Sequence, residues 1–160
     1  MQGQCENHLV ATHPDDFLVQ ICNRYVELIH NLLFREVEQD CFGLIIDTLF
    51  KSVKIDFKTM NFKKIDDKSI VGGKFSSACY ITDSWPSVLF LAGKYKDDTK
   101  AAILANTNLG GDNVHRGAVL ATILGLCNDN ESQQLDQWFT SLEDYRVIES
   151  EINDLLAVIG

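Results

Sequence analysis

The sequence predicts an all-α protein, and three features carry that reading. Apolar residues recur at three- and four-residue spacing through long stretches, strand-like alternation is scarce, and helix-start residues stand ahead of most periodic runs. The chain has 160 residues, 46% of them hydrophobic, which suits one domain with a sizeable core and excludes a disordered chain.

The elements follow in order. Residues 1–12 are polar and predict a flexible lead-in, with residues 13–160 forming a single helical domain. Pro14, Asp15 and Asp16 suit a helix start, because proline tolerates the first turn and acids favour the positive end of the helix dipole. Phe17, Leu18, Ile21, Tyr25, Leu28, Ile29, Leu32 and Leu33 then mark one face of a helix over 14–34. Cys41, Leu44, Ile45, Thr48 and Leu49 mark a second helix over 37–53, weakened at Gly43. Residues 54–78 predict a long connection with a turn at Val71-Gly72-Gly73. Its Lys54, Lys58, Lys63, Lys64, Lys68 and Lys74 read either as a solvated loop or as contacts to a phosphate.

Thr82 or Asp83 can cap the next helix, which has Pro86 in its first turn and runs to about Lys94. Asp97-Asp98-Thr99 opens a short helix through Leu104, ending near Asn106, and Gly110-Gly111 breaks the chain. A strongly apolar helix follows over 112–126, then a turn at 128–131 and two amphipathic helices over 133–142 and 144–159.

Composition narrows the function. A formal net charge of −9 opposes binding of nucleic acid through a broad basic surface, yet it permits a small phosphate-bearing ligand held by backbone N–H groups or a metal. The cysteines Cys5, Cys22, Cys41, Cys79 and Cys127 are odd in number, widely spaced and without a C-x-x-C motif. They read as reduced structural thiols, not as a zinc site or a secreted disulfide framework. Neither a signal peptide nor a bilayer-spanning stretch is visible, so a soluble cytoplasmic protein without a membrane partner is expected.

The chemistry concentrates in residues 104–125. Two glycines open backbone angles closed to other residues and allow a ligand close approach. Asp112 stands at the next helix start, with Asn113, His115 and Arg116 in the same turn. The carboxylate can cap the helix or bind a hard cation. Arg116 can pair with a structural carboxylate or a phosphate, while Tyr80 and Trp85 can pack in the core or line a ligand.

Asn108-Leu109-Gly110-Gly111-Asp112, followed by a small-residue helix, resembles the signature of the ADP-ribosylglycohydrolase family, whose usual run is Asn-x-Gly-Gly-Asp-Thr-Asp-Thr. Thr12-His13-Pro14, Tyr80-Ile81-Thr82-Asp83-Ser84-Trp85-Pro86-Ser87 and the closing helices with Trp138 stand in the family's order. The resemblance implies an orthogonal multi-helix bundle of the ADP-ribosylglycohydrolase type, here expected to lack the family's N-terminal half. It also implies hydrolysis of an ADP-ribosyl N- or O-glycosidic bond assisted by one or two magnesium ions. By the same resemblance Asp112 is a catalytic residue and metal ligand, His115 is catalytic, and Asn108, Gly110, Gly111, Asn113, Arg116 and Tyr80 bind ADP-ribose or an ADP-ribosylated substrate.

The run also departs from the pattern. Val114 stands where the second acid belongs and His115 where a threonine belongs, and neither Gly-Asp-Ala-x-Gly nor Thr-Asp-Asp precedes Thr12. Activity is therefore expected to need an oligomer or a partner supplying the missing half. The alternative is a catalytically degenerate ADP-ribose-binding or structural module, as in the family's crystallin J1-like members.

Overall fold

The computed structural model describes residues 2–36, 39–53, 61–128 and 132–159. Among them the regular structure is helical, and the only extended pairing is an isolated bridge between Val71 and Phe75. The all-α class is as expected. The chain divides into two compact units, Met1–Asn128 and Asp129–Gly160.

The first unit opens on α1 (Gln2–Thr12), where a flexible lead-in was expected. Its apolar residues are too few to mark a face; packing against α2 (Asp16–Leu33) holds it. Asp15 caps α2 by accepting the Leu18 N–H at 2.7 Å, and Ile21, Leu28 and Leu32 bury one face of that helix. α3 (Cys41–Val53) buries Ile45, Ile46 and Leu49. Its expected start at residue 37 falls outside the described residues, as do Lys54 and Lys58.

The connection beyond α3 is more structured than its sequence suggests. A 3-10 turn at Phe62–Lys64 and α4 (Asp67–Ile70) deliver Phe62, Ile70, Val71 and Phe75 into the core. Irregularly spaced lysines hide these apolar anchors from any periodicity, while Lys63, Lys64, Lys68 and Lys74 remain exposed as a solvated face.

α5 (Ile81–Lys94) is the centre of the unit and packs against α3, α4, α6 and α7. Residues 85–93 are all buried, so hydrophobicity all round replaces an amphipathic stripe. The helix starts at Ile81, ahead of the expected Thr82 or Asp83 cap, which puts Pro86 in the second turn. α6 (Thr99–Leu109), capped by Asp98, runs past the expected end near Asn106 and stops where Gly110 takes φ +67°. α7 (Asn113–Cys127) returns along α6 and α5.

The second unit is the pair α8 (Ser132–Thr140) and α9 (Tyr145–Ile159), with Phe139 and Tyr145 in edge-to-face contact at 6.3 Å.

Candidate active site

The hinge between α6 and α7 is built from glycine conformation and buried polar bonds. Gly110 and Gly111 both take positive φ, +67° and +63°. A Cβ on Gly111 would overlap the Ser77 carbonyl and approach the Ser77 Cβ to 2.7 Å, so only glycine lets the segment before α5 dock there. The docked Ser77 carbonyl accepts the Asp112 N–H at 2.9 Å.

Arg116 fastens this arrangement. It is 1% exposed, and its guanidinium donates to Asn106 Oδ1 at 3.1 Å, Ser77 O at 2.9 Å and Gly110 O at 2.6 Å. Burial lowers its pKa from the ordinary value, against the pull of Asp112. Its hydrogen-bond partners are two backbone carbonyls and a side-chain amide oxygen. Asn113 is half-buried and is bonded within the hinge. Its Nδ2 donates to the Thr107 carbonyl at 3.2 Å, and its own carbonyl accepts Asn106 Nδ2 at 2.7 Å.

Asp112 occupies the N-cap position of α7 without capping it. Its Oδ1 instead meets His115 Nδ1 at 2.6 Å, a contact between a mostly buried carboxylate and a mostly exposed imidazole. The other ring nitrogen, Nε2, is the one left for solvent or a ligand. Both side chains border a hollow of about 270 Å³ between the starts of α5 and α7. α5 supplies Ile81, Ser84, Trp85 and Val88, and Cys79 stands at the rim. Trp85 is buried, with its indole N–H donated to Ser52 Oγ at 2.9 Å and Tyr25 edge-on at 5.9 Å, so it forms a satisfied apolar wall.

The hollow thus brings together Asp112, His115 and Arg116, with the glycine hinge behind them. Tyr80 is the N-cap residue of α5, is two-thirds exposed, and does not border the hollow. Asn108 is exposed on the last turn of α6, and Val114 is exposed on α7. Sequence reasoning missed Asn106, Ser77, Cys79 and Ser84. Asn106 could have been found as the polar residue one helical turn before a glycine break, but the Ser77 contribution is a backbone carbonyl and leaves no side-chain signal.

The donor set does not fit a magnesium centre on its own. One carboxylate faces the hollow and is already engaged by an imidazole, a poor partner for an ion that prefers oxygen. Among the described residues no group of three or more His, Cys, Asp or Glu is placed to hold a metal ion.

No helix among the described residues is long and apolar enough to cross a membrane. Comparison with curated proteins and with solved structures finds no match. A family model described as ADP-ribosylglycohydrolase matches residues 5–160, nearly the whole chain. The chain belongs to the ADP-ribosylglycohydrolase family.

Proposed function

We propose that the hollow between α5 and α7 receives the ADP-ribosyl group, and that the chain takes part in hydrolysing the N- or O-glycosidic bond joining that group to an acceptor. One observation carries this reading: Asp112 withholds its carboxylate from the helix N–H groups beside it and faces a hollow together with His115. The N-terminal end of α7, next to the glycine hinge, suits a diphosphate through the positive end of its helix dipole. The family pattern assigns Asn108, Gly110 and Gly111 to that ligand, while Arg116 and Asn113 contribute by holding the hinge.

Within this reading the dyad works on water. Asp112 fixes the ring through Nδ1, and Nε2 takes a proton from water attacking the anomeric carbon. The glycosidic bond breaks, and the same proton passes to the departing acceptor. Asp112 is the one side chain of the hollow suited to magnesium, as a single oxygen ligand. Further ligands would come from outside the described residues, and no step is assigned to the ion.

A second reading is favoured by Val114 and His115, which stand where the family pattern has an acid and a hydroxyl. It is recognition of ADP-ribose without turnover. Exposed Phe17, Leu33 and Phe34 on the first unit support association with a second copy or a completing chain in either case. Gel filtration showing a monomer would remove that part.

The two readings separate in one experiment. The chain is melted with ADP-ribose, with and without magnesium, and incubated with ADP-ribosylated arginine and serine peptides and with O-acetyl-ADP-ribose. Release of ADP-ribose, lost in Asp112→Asn, supports hydrolysis. A ligand-dependent rise in melting temperature without release supports the second reading, and no response to either defeats both.

A further inference from the structure

The far end of α7 holds an arrangement that the hollow does not use. Cys127 is the last residue of α7, and Cys41 is the first residue of α3. The two thiols line one hollow of about 270 Å³ with Arg35, Asp40, Lys96 and Asn128, close enough for Cys127 to hydrogen-bond Cys41.

The backbone around both is fixed. Arg35 Nη1 donates to the Leu32 and Leu126 carbonyls, each at 2.7 Å, joining the end of α2 to the residue before Cys127. On the other side, Asn128 Nδ2 donates to the Lys96 carbonyl at 2.7 Å and to Thr99 Oγ1 at 3.1 Å. Lys96 Nζ lies 4.0 Å from Asp40 Oδ1, and Asp40 accepts the Phe42 N–H at 3.2 Å across Cys41. Lys96 Nζ bonds Asp97 Oδ1 at 2.6 Å and stands at ion-pair distance from Asp40, so the two cysteines sit in a frame of contacts that they do not make themselves.

We propose that Cys41 and Cys127 are a disulfide-forming pair, closing a covalent staple between the start of α3 and the end of α7 when a small-molecule disulfide such as glutathione disulfide is in excess. The Cys41 thiolate attacks one sulfur of the oxidant and expels one glutathione thiolate. The Cys127 sulfur then attacks the Cys41 sulfur of the mixed disulfide and expels the second. Two protein thiols are oxidised, one glutathione disulfide is reduced to two thiols, and the protons released by the cysteines pass to the leaving thiolates.

The order of attack follows from the surroundings. Cys41 opens α3, and Cys127, the thiol that gives up its proton less readily, attacks second. Burial, and then the bond to Cys41, push the Cys127 thiol up to about 12, with Arg35 and Lys96 pulling the other way. Once Cys41 is capped it no longer carries a charge, which leaves Arg35 and Lys96 to favour loss of the Cys127 proton. Burial, and then Cys5, raise the Cys22 thiol, while Cys79 stands exposed at the other hollow, so the pairing is a specific choice.

The test uses the full chain, incubated with glutathione disulfide or dithiothreitol, denatured, alkylated and peptide-mapped. The expected result is a Cys41–Cys127 linked peptide, loss of two alkylatable thiols, and a melting temperature several degrees higher that dithiothreitol restores. Cys127→Ser stops at a glutathione adduct on Cys41, and Cys41→Ser leaves Cys127 unlinked. A wild-type map with adducts only, a Cys5–Cys22 link, or links only between chains overturns the proposal. The wild-type map alone decides, so a variant that fails to fold leaves the test intact.

Discussion

Asp98 and Asp112 stand at the same position, the N-cap of two consecutive helices, and spend their carboxylates differently. Asp98, with φ −151°, accepts the Ala101 N–H at 2.8 Å and closes the start of α6. Asp15 and Asp66 do the same for α2 and α4. Asp112, with φ −78° behind two left-handed glycines, leaves the N–H groups of α7 alone and takes His115 instead. Local sequence is equally good for capping at each place, so the glycine hinge and its anchors decide. A carboxylate spent on its own helix is structural, and one withheld by tertiary contacts is available to a ligand.

The strongest way to break that difference is to remove what holds the hinge. Arg116→Met keeps much of the side-chain volume but strips donors from Ser77 O, Gly110 O and Asn106 Oδ1, one of them on a buried side chain. A loss of about 3 kcal/mol or more in urea unfolding is expected. A loss under 1 kcal/mol would mean that water replaces the guanidinium and that the hinge stands without it.

The two glycines sharpen the point because they differ in surroundings at similar φ. Gly111→Ala adds a Cβ into the Ser77 backbone, whereas a Cβ on Gly110 meets nothing within 4 Å. Gly110→Ala then costs only its backbone strain, about 1–3 kcal/mol. Gly111→Ala costs more, and its damage extends to the docking of residues 76–79. Equal losses in both variants would show that φ alone matters and that the Ser77 contact is incidental.

How much of this could be read in the sequence depends on the kind of signal. α2 was legible because Ile21, Leu28 and Leu32 repeat on one face of a capped helix. α1 was not, because its few apolar residues mark no face and its order comes from α2. The anchors Phe62, Ile70 and Val71 were hidden for a related reason: they follow tertiary packing onto α5 and no period of their own. At the candidate site the residue types of the Asp112 turn were legible, and the roles of its members were not. Two of the three Arg116 bonds end on backbone carbonyls, which every residue carries, so no spacing could mark it as a positioning residue.

Asp67 offers a third carboxylate for comparison, spent on side chains instead of a cap. It accepts Lys94 Nζ and Tyr95 OH, each at 2.6 Å, beneath the end of α5. Burial, and then the bond to Asp67, push the Tyr95 phenol from its ordinary value of 10.0 up to about 12. A raised folded pKa means stability that is whole below the unfolded value near 10 and is lost as pH rises toward 12. Ultraviolet titration should show one tyrosine ionising late, and Asp67→Asn should bring it forward. Uniform ionisation of the tyrosines near pH 10 would show that Asp67 does not hold the phenol in solution.

The smallest effect tests the comparison most directly. Asp98→Ala removes a cap and should cost about 0.5–2 kcal/mol. Asp112→Ala removes no cap bond, and its charge at the helix N-terminus is worth a few tenths of a kcal/mol. The two alanine variants should therefore separate in urea midpoint, with Asp98 the costlier, and separate in the opposite sense in ADP-ribose-dependent melting. If Asp112→Ala proved as destabilising as Asp98→Ala while ligand response survived, the carboxylate would be a cap in solution after all. The withheld charge, and with it the functional use of the hollow, would lose its support.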